Sequence, residues 1–187
     1  MIYFKVVWLV FCNILAFYIL LNTIYICFLS GVPAIPSSGR TLRELEKFIA
    51  KYAKRKKFLF MDLGCGTGKT LLRVAKKFPD AEFLGVEINP FIVMYCKLKK
   101  FLFLRKNVRF LRKNIFDVDL KTLKPDFIYL YLGDEISGRI SRKLNAEVGK
   151  NTVIFSNKFK LIGLDLVDIS DYKNLINGPL MVYQTRS

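Results

Sequence analysis

From Val6 to Leu29 the chain runs 24 residues without a charge, interrupted only by Asn13, Asn22 and Thr23. A helix of that length reaches about 36 Å, enough to cross a hydrocarbon core of about 30 Å with some tilt. Trp8 and Tyr25 stand near its ends, where amphipathic rings prefer to sit. A cleaved signal peptide would carry an apolar run of about 7–15 residues behind a basic start. Here Lys5 is the single early charge and the run is too long. The pattern predicts one uncleaved N-terminal transmembrane helix within residues 1–30.

Past residue 30 the period changes. Residues 31–56 read as a Pro-containing linker, Gly31-Val32-Pro33-Ala34-Ile35-Pro36-Ser37-Ser38, and an amphipathic helix. Two prolines three apart favour an extended segment. The helix is expected over 41–54, with Thr41 as cap, Glu44 as its capping-box partner, and Leu42, Leu45, Ile49 and Tyr52 on one face. From residue 57 to 187 short apolar runs alternate with helical patterns. Strands are expected over 57–63, 82–88, 108–115, 126–132 and 151–159, helices over 69–78, 90–106 and 135–148. Runs at 164–169 and 180–185 suit a closing antiparallel pair. The alternation predicts an α/β domain with a mostly parallel sheet.

Charge and composition narrow the chemistry. The chain of 187 residues carries 31 Lys and Arg against 15 Asp and Glu, and no His. Nucleophile–His pairs and His-bearing zinc sites are therefore excluded. Cys12, Cys27, Cys65 and Cys96 form no C-x-x-C pair, which fits a reducing compartment. Basic residues from Arg40 to Lys57 follow the apolar span closely. The positive-inside rule then predicts a single-pass membrane protein with its C-terminal domain in the cytoplasm. The same juxtamembrane cluster can lean on anionic headgroups, which accounts for much of the charge without nucleic acid as a partner.

The informative motif is Asp62-Leu63-Gly64-Cys65-Gly66-Thr67-Gly68-Lys69, at the junction of an expected strand and helix. Glycines let a ligand approach the backbone, and the helix start offers free N–H groups. A phosphate-binding loop would need glycine at position 63, which is Leu. Glu87 ends the next strand, 19 residues after Gly68. An acid there can accept from both hydroxyls of a ribose. Asp62 suits a cofactor with a positive centre and an amino group, and disfavours a pyrophosphate-bearing nicotinamide cofactor.

These residues resemble the cofactor signature of class I S-adenosylmethionine-dependent methyltransferases. The resemblance spans roughly residues 58–187 and implies a Rossmann-like class I methyltransferase sheet behind the transmembrane helix. It implies that Gly64, Cys65, Gly66 and Gly68 line the cofactor's amino-acid part, that Glu87 holds its ribose, and that Ile88 lies against the adenine. Asn114 stands where many relatives carry Asp for the adenine amino group. The span, the Pro-x-x-Pro-Ser segment and the signature together resemble small membrane-anchored protein-lysine methyltransferases, whose mitochondrial relatives modify the ATP synthase c subunit or the ADP/ATP carrier. That narrower likeness implies Pro36 and Ser37 as a cofactor lid and a protein substrate. Tyr131 and Asp134, at the end of the fourth expected strand, are the candidates for orienting an acceptor amine. A lipid, quinone or other small membrane substrate, an RNA substrate and a non-catalytic cofactor-binding module are the competing readings.

Overall fold

In the computed structural model, residues 2–25, 37–170 and 178–185 are described. The chain divides into two compact units, Met1–Pro33 and Ala34–Ser187. The first holds helix α1, Ile2–Tyr25. Its stretch Tyr3–Ile24 is long and apolar enough to cross a membrane. Its interior amide and hydroxyl side chains Asn13, Asn22 and Thr23 bond to backbone carbonyls one turn back. The Asn13 amide donates to the Leu9 carbonyl at 2.8 Å and the Thr23 hydroxyl to that of Ile19 at 2.9 Å. Such i−4 bonds remove the need for an outside partner.

The second unit is built on seven strands: β1 Leu59–Leu63, β2 Glu82–Glu87, β3 Val108–Arg112, β4 Phe127–Leu130, β5 Val153–Asn157, β6 Leu164–Ile169 and β7 Leu180–Thr185. Their order is β3-β2-β1-β4-β5-β7-β6, with β7 antiparallel to both its neighbours and the other pairings parallel. The helices are α2 Gly39–Tyr52, α3 Lys69–Lys77, α4 Pro90–Leu102, α5 Leu120–Leu123 and α6 Asp134–Glu147. Period-2 alternation along each strand splits the core. One face buries Phe60, Phe83, Tyr129, Phe155 and Val182 with Leu42, Leu45 and Ile49 of α2. The other buries Met61, Val86, Ile128, Ile154 and Met181 with Ile140 and Leu144 of α6. Because both faces are covered, the strands read as near-continuous apolar runs. Phe58, Phe127 and Phe155 extend the first face, with ring centroids 5.0 and 5.7 Å apart along the series.

The expected elements are all present, seven of them one to four residues shorter than the apolar runs suggested. Helix α4 stops at Leu102 rather than 106, and β3 at Arg112 rather than 115. Two short pieces went unanticipated: the 3₁₀ turn Ile115–Asp117 and α5. Helix α2 also begins earlier than expected. Ser38, not Thr41, is its cap, and its hydroxyl accepts from the Thr41 N–H at 3.1 Å. Glu44 forms an ion pair with Lys47 instead of closing a capping box. Helix α2 is a full layer of the domain. Its buried Glu46 accepts from Arg73 of α3 at 2.8 Å and pairs with Lys77 at 3.4 Å.

This geometry separates the two candidate caps. Ser38→Ala should destabilise the domain by about 1 kcal/mol, the usual effect of losing a cap. Glu44→Ala, which removes only an exposed pair, should change stability by less than about 0.5 kcal/mol. Denaturant unfolding followed by far-UV circular dichroism measures both.

Candidate active site

Strand order reverses between β1 and β4, and this switch point opens a crevice outside their carboxyl ends. The loop from β1 into α3 forms its floor. The N–H groups of Gly64 and Cys65 both donate to the Val86 carbonyl at 2.9 Å, so the chain turns sharply off the sheet. Gly64, Gly66 and Gly68 all have positive φ. At Gly68, the cap of α3, a Cβ would lie 2.9 Å from the Phe110 ring. The loop therefore needs glycine for conformation and for space together. The Cys96 thiol donates to the Gly66 carbonyl at 3.2 Å from beneath. Cys65 is buried, and the Cys96 thiol beside it, followed by burial, pushes its own thiol well up. It packs the loop and offers no nucleophile.

Asp62 and Glu87 flank this loop and differ sharply. Asp62 is fully buried, and its carboxylate accepts no hydrogen bond among the described residues. Burial, followed by the nearby Glu87 charge, pushes its pKa up to about 8. A carboxylate in that state favours an incoming cation or N–H donor. Glu87 is already engaged. Its Oε2 accepts from Gly66 N–H at 3.0 Å, and its Oε1 from Ile88 and Asn89 N–H at 2.9 Å each. Three of a carboxylate's roughly four acceptor positions are thus used by backbone. One hydroxyl can be added at Oε2, while a bidentate grip on a ribose requires Gly66 to release it.

A polar cluster stands over the α2 face of the sheet. Ser37 is buried, and its hydroxyl lies 2.7 Å from that of Tyr129. Lys69, the first residue of α3, donates to the Ser37 carbonyl at 3.3 Å. The segment before α2 is thereby tied to both the sheet and the glycine loop. Pro36 lies outside the described residues. Tyr129 is fully buried, and burial raises its pKa well beyond the usual phenol range, against the opposing pull of Ser37. Tyr131 is half-buried, packs on Phe159 at 6.2 Å, and has its pKa raised by burial. Asp134 opens α6 and is exposed, and its carbonyl accepts from Ser137 at 2.8 Å. A carboxylate in a first turn also complements the helix dipole.

Ile88 follows Glu87 into the crevice rim and is partly exposed. Asn114 is exposed, and its side-chain oxygen caps the 3₁₀ turn by accepting from Phe116 N–H at 3.0 Å. The oxygen expected to meet an adenine amino group thus already accepts one local hydrogen bond and keeps a second acceptor position.

Asn157 is the residue that sequence reasoning missed. It ends β5 on the same face as Tyr129 and is fully buried; its amide makes no hydrogen bond of good geometry among the described residues, but lies close enough to the Tyr129 hydroxyl to pull that phenol's pKa down. Buried amides are normally paired. The available signal was an amide closing the otherwise apolar run Val153–Phe155. Donor-poor Asp62, the glycine cradle and the under-satisfied Asn157 amide fit a cofactor that carries an ammonium, a sulfonium and a ribose.

The comparisons agree. Across residues 62–168, more than half of the chain, the sequence matches the ANTKMT methyltransferase domain family. It is 29% identical over 111 residues to an uncharacterized protein of Rickettsia prowazekii, spanning 57% of this chain but only 44% of that one. It is 26% identical over 137 residues to a protein-lysine N-methyltransferase of Saccharolobus islandicus, covering 71% and 80% of the two chains. It is 29% identical over 134 residues to the Caenorhabditis elegans lysine N-methyltransferase of the ATP synthase c subunit, covering 70% and 68%. The fold matches a Salinibacter ruber RNA methyltransferase solved with S-adenosyl-L-homocysteine, at a TM-score of 0.68 and 18% identity over 81% of this chain and 92% of that one. Sheet order, glycine loop and family match converge: the chain belongs to the ANTKMT methyltransferase domain family.

Proposed function

We propose that this methyltransferase transfers the methyl group of S-adenosylmethionine to lysine side chains of a membrane or membrane-associated protein. The likeness to two protein-lysine methyltransferases, over more than two thirds of this chain in each case, carries the lysine reading. Helix α1 supports the membrane reading, and the basic residues from Arg40 to Lys57 favour a cytoplasmic catalytic domain.

S-adenosylmethionine, when bound, supplies an electrophilic methyl on a sulfonium. Asp62 and the loop at Gly64–Gly68 would hold its amino-acid part, and Glu87 one ribose hydroxyl. Ser37 would close over them from the α2 side. The chain's remaining task is to place a neutral amine in line with that methyl. At pH 7 only about one lysine in a few thousand is neutral in water. A buried crevice favours the neutral form by desolvation, and so no histidine base is needed. Tyr131 can accept from the amine and fix its direction, and Asp134 at the rim can attract the incoming ammonium.

Two measurements test this. Detergent-solubilised protein should label a protein band when given radiolabelled S-adenosylmethionine and membranes of its own host. Glu87→Ala should lower that labelling ten- to a hundredfold, since hydrogen bonds to a charged group contribute about 1.5–3 kcal/mol each. Label confined to the lipid extract would overturn the lysine reading. The second concerns pH. Asp62 is raised from 3.8 to about 8, so the free protein should lose stability as pH rises through the window from about 4 to about 8. A cation beside Asp62 favours its ionised form, so binding should release a proton below about pH 8 and tighten towards it. Asp62→Asn should flatten both profiles. Unfolding at several pH values and calorimetric titration in two buffers of different ionisation heat measure them.

A further inference from the structure

Helix α4 is apolar on the side that faces water. Val93 and Cys96 turn into the core. Met94, Leu98, Phe101 and Leu102, on the opposite side, are exposed. Their spacing makes one continuous stripe along the helix. The stripe runs on into Phe103 and Leu104, and Leu104 is 77% exposed. A solvated helix face normally carries polar residues there. The turn that ends α4 adds to the display. Leu104 N–H donates to the Phe101 carbonyl and Arg105 N–H to that of Lys100, both at 3.1 Å. This is the helix stop that usually employs glycine at its left-handed position. Here Leu104 occupies it with φ 52°, a conformation disfavoured for a branched side chain.

Charge surrounds the stripe. From Ile88 to Phe116 the chain has eight basic residues and no acidic one. Lys97 lies on one flank of the stripe and Lys99 on the other, where its ammonium donates to the Thr67 carbonyl at 3.1 Å, and Arg105 and Lys106 follow the tip. A groove of about 470 Å³ between α4 and β3 is lined by Lys97, Lys100, Phe101, Arg109 and Phe110. Arg109 is paired with Glu82 at 2.9 Å, while Lys97 and Lys100 have no ion-pair partner among the described residues.

We propose that α4 and its terminal turn form a docking surface for a bilayer containing anionic phospholipid. The apolar stripe lies in the interfacial layer, Lys97, Arg105 and Lys106 extend to the headgroups, and the groove receives a lipid phosphodiester beside Lys97 and Lys100. An amphipathic helix with basic flanks meets the interface in this way. Protein interfaces are depleted in lysine at their cores, and a nucleic acid would leave the six apolar side chains in water. This surface belongs to the catalytic unit and stands whether or not the acceptor is lysine.

Trp8 is the single tryptophan, so Leu102→Trp in a Trp8→Phe background reports on this surface alone. The full-length protein is reconstituted in phosphatidylcholine vesicles with or without phosphatidylglycerol, brominated on the upper acyl chain. The introduced indole should shift to the blue and be quenched by bromine, more strongly with phosphatidylglycerol. Lys97→Gln and Lys100→Gln should each reduce the preference for the anionic lipid about fivefold. Leu98→Trp provides a second reporter should Leu102→Trp fail to fold. Water-like, unquenched emission in both lipids overturns the proposal. So does a blue shift without bromine quenching that follows self-association in sedimentation, or one produced by RNA and not by vesicles. In the parent protein, quenching of Trp8 by bromines on the upper acyl chain reads α1 separately, so failure of the anchor and failure of this surface are distinguishable.

Discussion

The Val86 carbonyl holds the catalytic unit's geometry in place. By accepting from both Gly64 and Cys65 N–H, it bends the chain off β1 at the point where the strand order reverses. That bend sets Asp62 at the last buried position of its face, aims the start of α3 at the crevice, and brings Gly66 N–H onto Glu87. Lys69 then reaches the Ser37 carbonyl only because α3 begins where the bend puts it. The acidic pair, the loop and the segment before α2 thus form one connected arrangement, and the S-adenosylmethionine-dependent chemistry of the family rests on it.

The two acids illustrate how environment divides identical chemistry. Asp62 lacks donors and lies deep, so it resists ionising until a positive group arrives. Glu87 is saturated with backbone donors and serves the loop before it serves a ligand. A histidine-free chain can run methyl transfer because the reaction needs alignment and a dry, cation-tolerant crevice more than it needs a proton shuttle.

Much of this was legible in the sequence because the signals were local. The strand–glycine–helix junction, the acid closing the next strand and the Pro90 helix start are readable from neighbouring residues. β6 and β7 fell at their expected bounds, since each is framed by turn residues. Boundaries failed where several candidates competed for one role. Ser38 and Thr41 are both good caps, and only the packing of α2 decides between them. Asn114 and Asn157 show the same limit in the site. Both are amides at strand ends, yet one is exposed and caps a turn while the other is buried beside Tyr129 without a hydrogen bond of good geometry. Whether a polar residue is satisfied depends on contacts distant in sequence, such as Ser37 on Tyr129, 92 positions away.

Gly85 carries a consequence for how this family can diverge. A Cβ there would meet both the Cys65 sulfur and the Phe110 ring at 2.8 Å. Cys65 belongs to the loop, Gly85 to β2 and Phe110 to β3, so three separate segments share one filled volume. None can enlarge unless another shrinks. Substitutions at these positions should therefore be inherited as compensated sets, and an alignment of relatives should show position 85 covarying with 65 and 110. A larger residue at 85 in a relative would mark a lineage in which the floor beneath the glycine loop has been rebuilt.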